Sequence, residues 1–232
     1  MKEISEPRDT KIMLRGNYLT LGDSVTVGTP TVMHSYDKKL PPNRLGFAKW
    51  LVAPANPLMS RVTVNRWWAA FMGRGIVATL EDFGAQGEAP THRGLLDWLA
   101  VEFVESGWSM KHIHKLIVSS RTYRQSSRVT GKHLEQDPAN RYFARASRVR
   151  MSAEMVRDSA LVASGLLSHR MHGPPIYPPQ PSGIWRHVGR NAPQFIPAKD
   201  ENRFRRGVYV VWRRGAPYAS FVNFDAPDRG AC

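Results

Sequence analysis

Three carboxylates and an imidazole fall close together between Glu81 and His92: Glu81, Asp82, Glu88 and His92, on glycine-rich backbone running from Gly73 to Pro90. Carboxylates beside an imidazole can act as general acid and base, and the same oxygens suit a hard cation. A structural role is equally open to them. Asp82 can hold a turn, and His92 can stand exposed in a first helical turn.

A second group is basic. Arg61, Asn65 and Trp68 share one face at helical spacing, with Arg66 beside them. Two guanidiniums and an amide can clamp a carboxylate or sulfate through paired N–H donors. They can also pair with the chain's own acidic loop. A third group, Arg121, Tyr123, Arg124, Gln125 and Arg128, interleaves an aromatic ring with three bases just past a helix. Such mixing suits stacking against a ring together with contact to phosphate or sulfate, and arginines also cap helix ends and fasten loops.

Other patterns are weaker. His112 and His114 project about 200° apart on a helix of 3.6 residues per turn, so they cannot share a metal. His169 and His172 flank a loop without cysteine or carboxylate support, and no metal site is assigned. The sequence has no C-x-x-C-H for haem attachment, no G-x-S-x-G and no glycine-rich phosphate loop. The proline-rich stretch Pro174 to Pro181 can present a polyproline surface or wrap a core as a loop.

The elements that must position these groups read as mainly α: an irregular helical domain with a few short strands and long Pro/Gly-rich loops. Residues 1–45 read as an extended arm or edge strand, with a strand over Lys11 to Arg15 and a turn at Gly16 and Asn17. Residues 46–168 read as a helical body, and residues 169–232 as a proline-rich loop with a short strand. Within the body, a first helix runs from Arg44 to Val52. Asn56 and Pro57 predict the N-terminus of a second, with Gly73 as its stop. Thr91 is read as the cap of a third helix, whose apolar stripe ends at Gly107. Ser109 and Ser152 cap two more. The run Gly207 to Trp212 is the best strand candidate, being rich in β-branched and aromatic residues.

Composition favours a folded chain: 232 residues, 42% hydrophobic and seven Trp, enough apolar surface to offset chain entropy. The formal charge of +14 is unevenly placed. Ile76 to Ser106 carries six acids against Arg93 alone, net −5, whereas Gly107 to Arg150 carries ten bases against two acids, net +8. Adjacent segments of opposite sign can neutralise each other on packing, or can leave a polyanion-binding face. No apolar run approaches the roughly 18 residues of a membrane helix, and Met1 to Thr10 lacks the apolar stretch of a signal peptide. The lone cysteine, Cys232, leaves no internal disulfide.

Five stretches are distinctive in their order: PNRLGFAKWLVAPANPLMSRVTVNRWW from Pro42, GRGIVATLEDFGAQGEAPTHRGLLDWLAVEFVESGW from Gly73, IVSSRTYRQSSR from Ile117, DPANRYFAR from Asp137, and FDAPDR from Phe224. Together they resemble the planctomycete-specific domain of unknown function found downstream of cytochrome-c-like modules in very large exported proteins. The resemblance implies a fragment lacking its C-terminal part, exported to periplasm or cell surface by a signal outside it. It also implies other domains of the same polypeptide as partners. No cofactor is implied in this stretch, c-type haem being a matter for neighbouring modules. The leading expectation is a non-catalytic accessory module binding an anionic, sulfated polysaccharide through Arg121 to Arg150. The alternatives are a hydrolytic enzyme using the acidic loop and His92, and nucleic-acid binding by charge alone, which an exported setting disfavours.

Overall fold

A computed structural model describes residues 9–185, 194–213, 215–224 and 226. The chain divides into two compact units, residues 1–148 and 149–232, ahead of the 168/169 boundary read from the sequence. Among the described residues it is mainly α, with one two-stranded sheet.

In the first unit, β1 (Thr10–Met13) pairs antiparallel with β2 (Leu21–Val25), Thr10 opposite Val25 and Met13 opposite Leu21. The sequence reading found the first strand and missed its partner, because LGDSV carries no alternation. Asn43 caps α1 (Arg44–Leu51), accepting from the Gly46 amide. The arm before it is pinned there: the His34 and Trp50 rings stack with centroids 4.7 Å apart, and Trp50 Nε1 donates to the His34 carbonyl at 3.0 Å.

Three helices form the core of this unit: α2 (Met59–Met72), α3 (Arg93–Glu105) and α4 (Met110–Ser119). Each presents an i, i+4 apolar stripe, and their mutual burial excludes water. Val64, Trp68 and Met72 come from α2, Leu96, Leu99 and Phe103 from α3, Ile113 and Ile117 from α4, with Ile76, Val77 and Phe143 closing the cluster. Asn56 caps α2 from one turn further out than its first hydrogen-bonded residue, its Oδ1 accepting from the Leu58 and Met59 amides. Gly73, at φ 75°, ends α2 in the left-handed region where a side chain would be strained. The expected cap of α3 is corrected: His92 holds that position without a side-chain bond, because Thr91 Oγ1 donates to the Ile76 carbonyl instead. Ser109 caps α4 as expected. Two short helices, α5 (Arg121–Arg124) and α6 (Gly131–Gln136), follow.

The second unit holds α7 (Ala153–Ala163), capped by Ser152 with Glu154 in its first turn, and α8 (Ala219–Asn223). Its small core is Ala153, Ile176, Val210 and Phe221. The strand expected over Gly207 to Trp212 is replaced by a 3-10 turn at Gly207–Tyr209 and a single parallel bridge, Ile176 with Val210. The composition was β-like, but among the described residues no strand lies alongside to extend a ladder, so packing overrides propensity. Arg205, 1% exposed, completes this unit: its guanidinium donates to the carbonyls of His172 and Pro174 and lies 3.9 Å from the Tyr209 ring centroid. Arg157 likewise donates to the Arg203 and Arg205 carbonyls. Neutral carbonyl and ring partners thus hold cations inside an apolar setting.

Candidate functional site

The acidic loop is a built structure tied down by arginines. Thr79 Oγ1 donates to the Asp82 carbonyl at 2.7 Å and accepts from the Glu88 amide, while Asp82 Oδ1 accepts from the Gly84 amide at 2.6 Å. Glu81 pairs with Arg66 at 2.8 Å. Glu88 receives Arg74 at 3.5 Å and Arg141 at 3.4 Å, the latter 53 positions away in sequence. Asp97 is held by Arg61 at 2.7 Å and reached by Arg93 at 3.9 Å, and Glu102 meets His112 Nε2 at 2.6 Å.

His92 belongs to a different environment. Its Nδ1 lies 3.0 Å from Thr91 Oγ1, and its ring packs 5.7 Å from Phe143 and 6.1 Å from Tyr142. No hydrogen bond joins it to Glu81, Asp82 or Glu88, so these four are not assembled as an acid–base set.

The face shared by Arg61, Asn65 and Trp68 turns inward. Asn65 is wholly buried, its Nδ2 donating to the Val77 carbonyl and its Oδ1 accepting from the Val77 amide, both at 2.9 Å. That double bond roots the acidic loop on α2. Gly75 permits it, since a Cβ there would lie 2.9 Å from Asn65 Nδ2. Asn65 thus sits inside the unit with its amide engaged on the Val77 backbone.

The third cluster divides. Gln125 is structural, donating to the Phe143 carbonyl at 2.6 Å, and the Ala146 amide donates to the Ser126 carbonyl. These two bonds lay the stretch around Arg124 and Arg128 beside the stretch ending at Arg148. Tyr123 is 39% exposed and meets Phe71 edge-on at 6.1 Å. Arg121, Arg124 and Arg128 are exposed.

Sequence reasoning missed Lys111 and Lys115, exposed one turn apart on α4; Lys132 and Arg148, within the expected Arg121 to Arg150 region, are exposed too. None of Lys111, Lys115, Arg121, Arg124, Arg128, Lys132 and Arg148 has an acid within ion-pair distance among the described residues. Only the net count of the segment hinted at them. Arg145 stands apart: it is buried and donates to the Asp137 and Pro138 carbonyls. Asp137 accepts from the amides of Arg141 and Tyr142 at 2.7 and 2.9 Å. Burial pushes the Asp137 carboxyl up, but those two amides and the charges of Arg145 and Arg141 outweigh it and hold it below the ordinary carboxylate value.

Among the described residues, no group of three His, Cys, Asp or Glu is placed to hold a metal ion, and no helix is long and apolar enough to cross a membrane. Among the described residues, fold and charge layout define a mainly α protein in which Glu81, Glu88 and Asp97 are paired with arginines while seven bases of the following segment face water. The chain matches the family described as "Protein of unknown function (DUF1553)" over residues 43–232, and it belongs to that family. No curated protein and no solved structure matches it.

Proposed function

We propose that this chain is an accessory binding module that holds an anionic polysaccharide on the face carrying Lys111, Lys115, Arg121, Arg124, Arg128, Lys132 and Arg148. One observation carries the reading. The acidic loop and Asp97 are neutralised by Arg61, Arg66, Arg74, Arg93 and Arg141, so among the described residues Arg141 is the one base between Lys111 and Arg148 drawn to them. Exposed cations without acid partners attract a polyanion and release its counterions on contact. The planar fork of a guanidinium can also donate two N–H bonds to a pair of sulfate oxygens, and Tyr123 offers a ring for stacking. An exported, surface-associated setting beside other domains of a longer polypeptide is part of the same proposal.

Binding of the chain to heparin, to a carboxylated polysaccharide and to duplex DNA, each across a salt series, tests it. Tightest binding to the sulfated chain, with affinity falling steeply as salt rises, is the expected result. A log–log slope near zero for heparin removes the proposal, and tighter binding to DNA replaces the polysaccharide by nucleic acid.

A further inference from the structure

A cleft of about 300 Å³ opens between the start of α2, the acidic loop and the start of α3. Its apolar wall is Leu58, Val77, Phe83, Pro90 and Leu96, and its polar groups are Arg61, Arg93, Asp97 and Glu88. A concave, mainly apolar recess with a few convergent polar groups is the usual form of a small-molecule site, and this volume lies at the small end of the range.

Both lining carboxylates are already paired without Arg93: Asp97 holds Arg61 at 2.7 Å, and Glu88 is met from outside the lining by Arg74 and Arg141. The two lining guanidiniums differ in how firmly they are held. Arg61 is fixed by Asp97 at 2.7 Å and by the Pro57 carbonyl at 2.6 Å. Arg93 has an 87% exposed side chain and only a 3.9 Å approach to Asp97, so nearly all its five N–H donors remain open. The cleft therefore presents an apolar wall beside an exposed guanidinium whose nearest carboxylate is already taken by Arg61.

We propose that this cleft binds a small apolar carboxylate, its hydrocarbon body against Leu58, Phe83 and Leu96 and its carboxylate paired with Arg93. Arg61 positions Asp97 and through it the guanidinium of Arg93. This site is independent of the polysaccharide face, and none of the seven bases of that face lines it.

Benzoate, benzyl alcohol and benzylamine titrated into the full chain, read through the methyl resonances of Leu58, Val77 and Leu96, test the assignment. Benzoate moves these methyls saturably, benzyl alcohol binds more weakly, and benzylamine leaves them unmoved. Arg93→Met weakens benzoate at least tenfold. Leu58→Asp, which places a good capping residue at a helix start and so keeps the fold, weakens it as well. The triple variant Lys111→Glu, Lys115→Glu, Arg121→Glu binds benzoate as the parent does. The proposal is overturned by the absence of saturable shifts, by unchanged affinity in Arg93→Met, by equal binding of benzylamine, or by loss of benzoate binding in the triple variant.

Discussion

The acidic segment from Glu81 to Glu102 and the basic segment from Lys111 to Arg148 are neighbours in sequence with opposite charge, yet the fold treats them differently. Of its five acids, Glu81, Glu88 and Asp97 pair with arginines, Glu102 meets His112, and Asp82 holds a turn. Of the nine bases, Arg141 pairs with Glu88, Arg145 is buried on carbonyls, and seven face solvent without an acid among the described residues. The acids are neutralised mainly by arginines of α2 and the start of α3, which lie against the loop when the helices pack. The basic segment is left over. Complementary net charges in adjacent segments thus say little about which groups meet, because pairing follows helix packing and not sequence proximity.

The comparison breaks first if the acidic loop is not structural. Asn65→Ala leaves the amide and carbonyl of Val77 buried without partners, and the expected loss is about 2 to 6 kcal/mol, at about 1 to 3 kcal/mol per orphaned group. Urea unfolding measures it, and a loss below 1 kcal/mol contradicts the rooting of the loop on α2. On the basic side, Lys111→Glu, Lys115→Glu, Arg121→Glu together should weaken heparin roughly 100-fold near 0.1 M salt with no change in urea midpoint, since each reversal removes one counterion-releasing contact and adds repulsion. Unchanged affinity means the exposed bases are solvated bystanders.

Acid sharpens the contrast. The folded Asp137 carboxyl titrates below its ordinary 3.8, so its contribution is fully present above that value and is lost as pH falls through the lower folded value. Stability measured from pH 5 to pH 2 should therefore fall less steeply in Asp137→Asn than in the parent. Identical slopes would show that this turn does not depend on the charge. The smallest effect belongs to Arg66→Ala: its pair with Glu81 is exposed on both sides, so the cost is expected to stay within about 0.5 kcal/mol, and a double-mutant cycle with Glu81→Ala reads the coupling directly.

Much of the local structure was legible in the sequence. The stripes on α2, α3 and α4 gave three buried faces, Ser109 and Ser152 gave two caps, and Gly73 gave a stop, because each of these follows from residues within a turn or two of one another. The mainly α class followed from the same local patterns, and the family from the resemblance of five ordered stretches. Long-range choices were not legible. Whether GVYVVW forms a strand depends on a neighbour being present to pair with it, and here only Ile176 is. Whether Thr91 caps α3 depends on the Ile76 carbonyl competing for its hydroxyl.

The site shows the same division. Sequence alone determined that the chain carries a large basic surplus, where that surplus lies along the chain, and that Arg61, Asn65 and Trp68 share a face. Only the tertiary structure decided that Asn65 and Trp68 of this face turn inward, that Glu88 is reached from Arg141, and that His92 packs at a tilt against Phe143 with no hydrogen bond to Glu81, Asp82 or Glu88. The physical reason is that helical periodicity fixes relative directions within an element, while hydrogen bonds and ion pairs act over a few ångströms between elements. Their partners are set by how those elements pack.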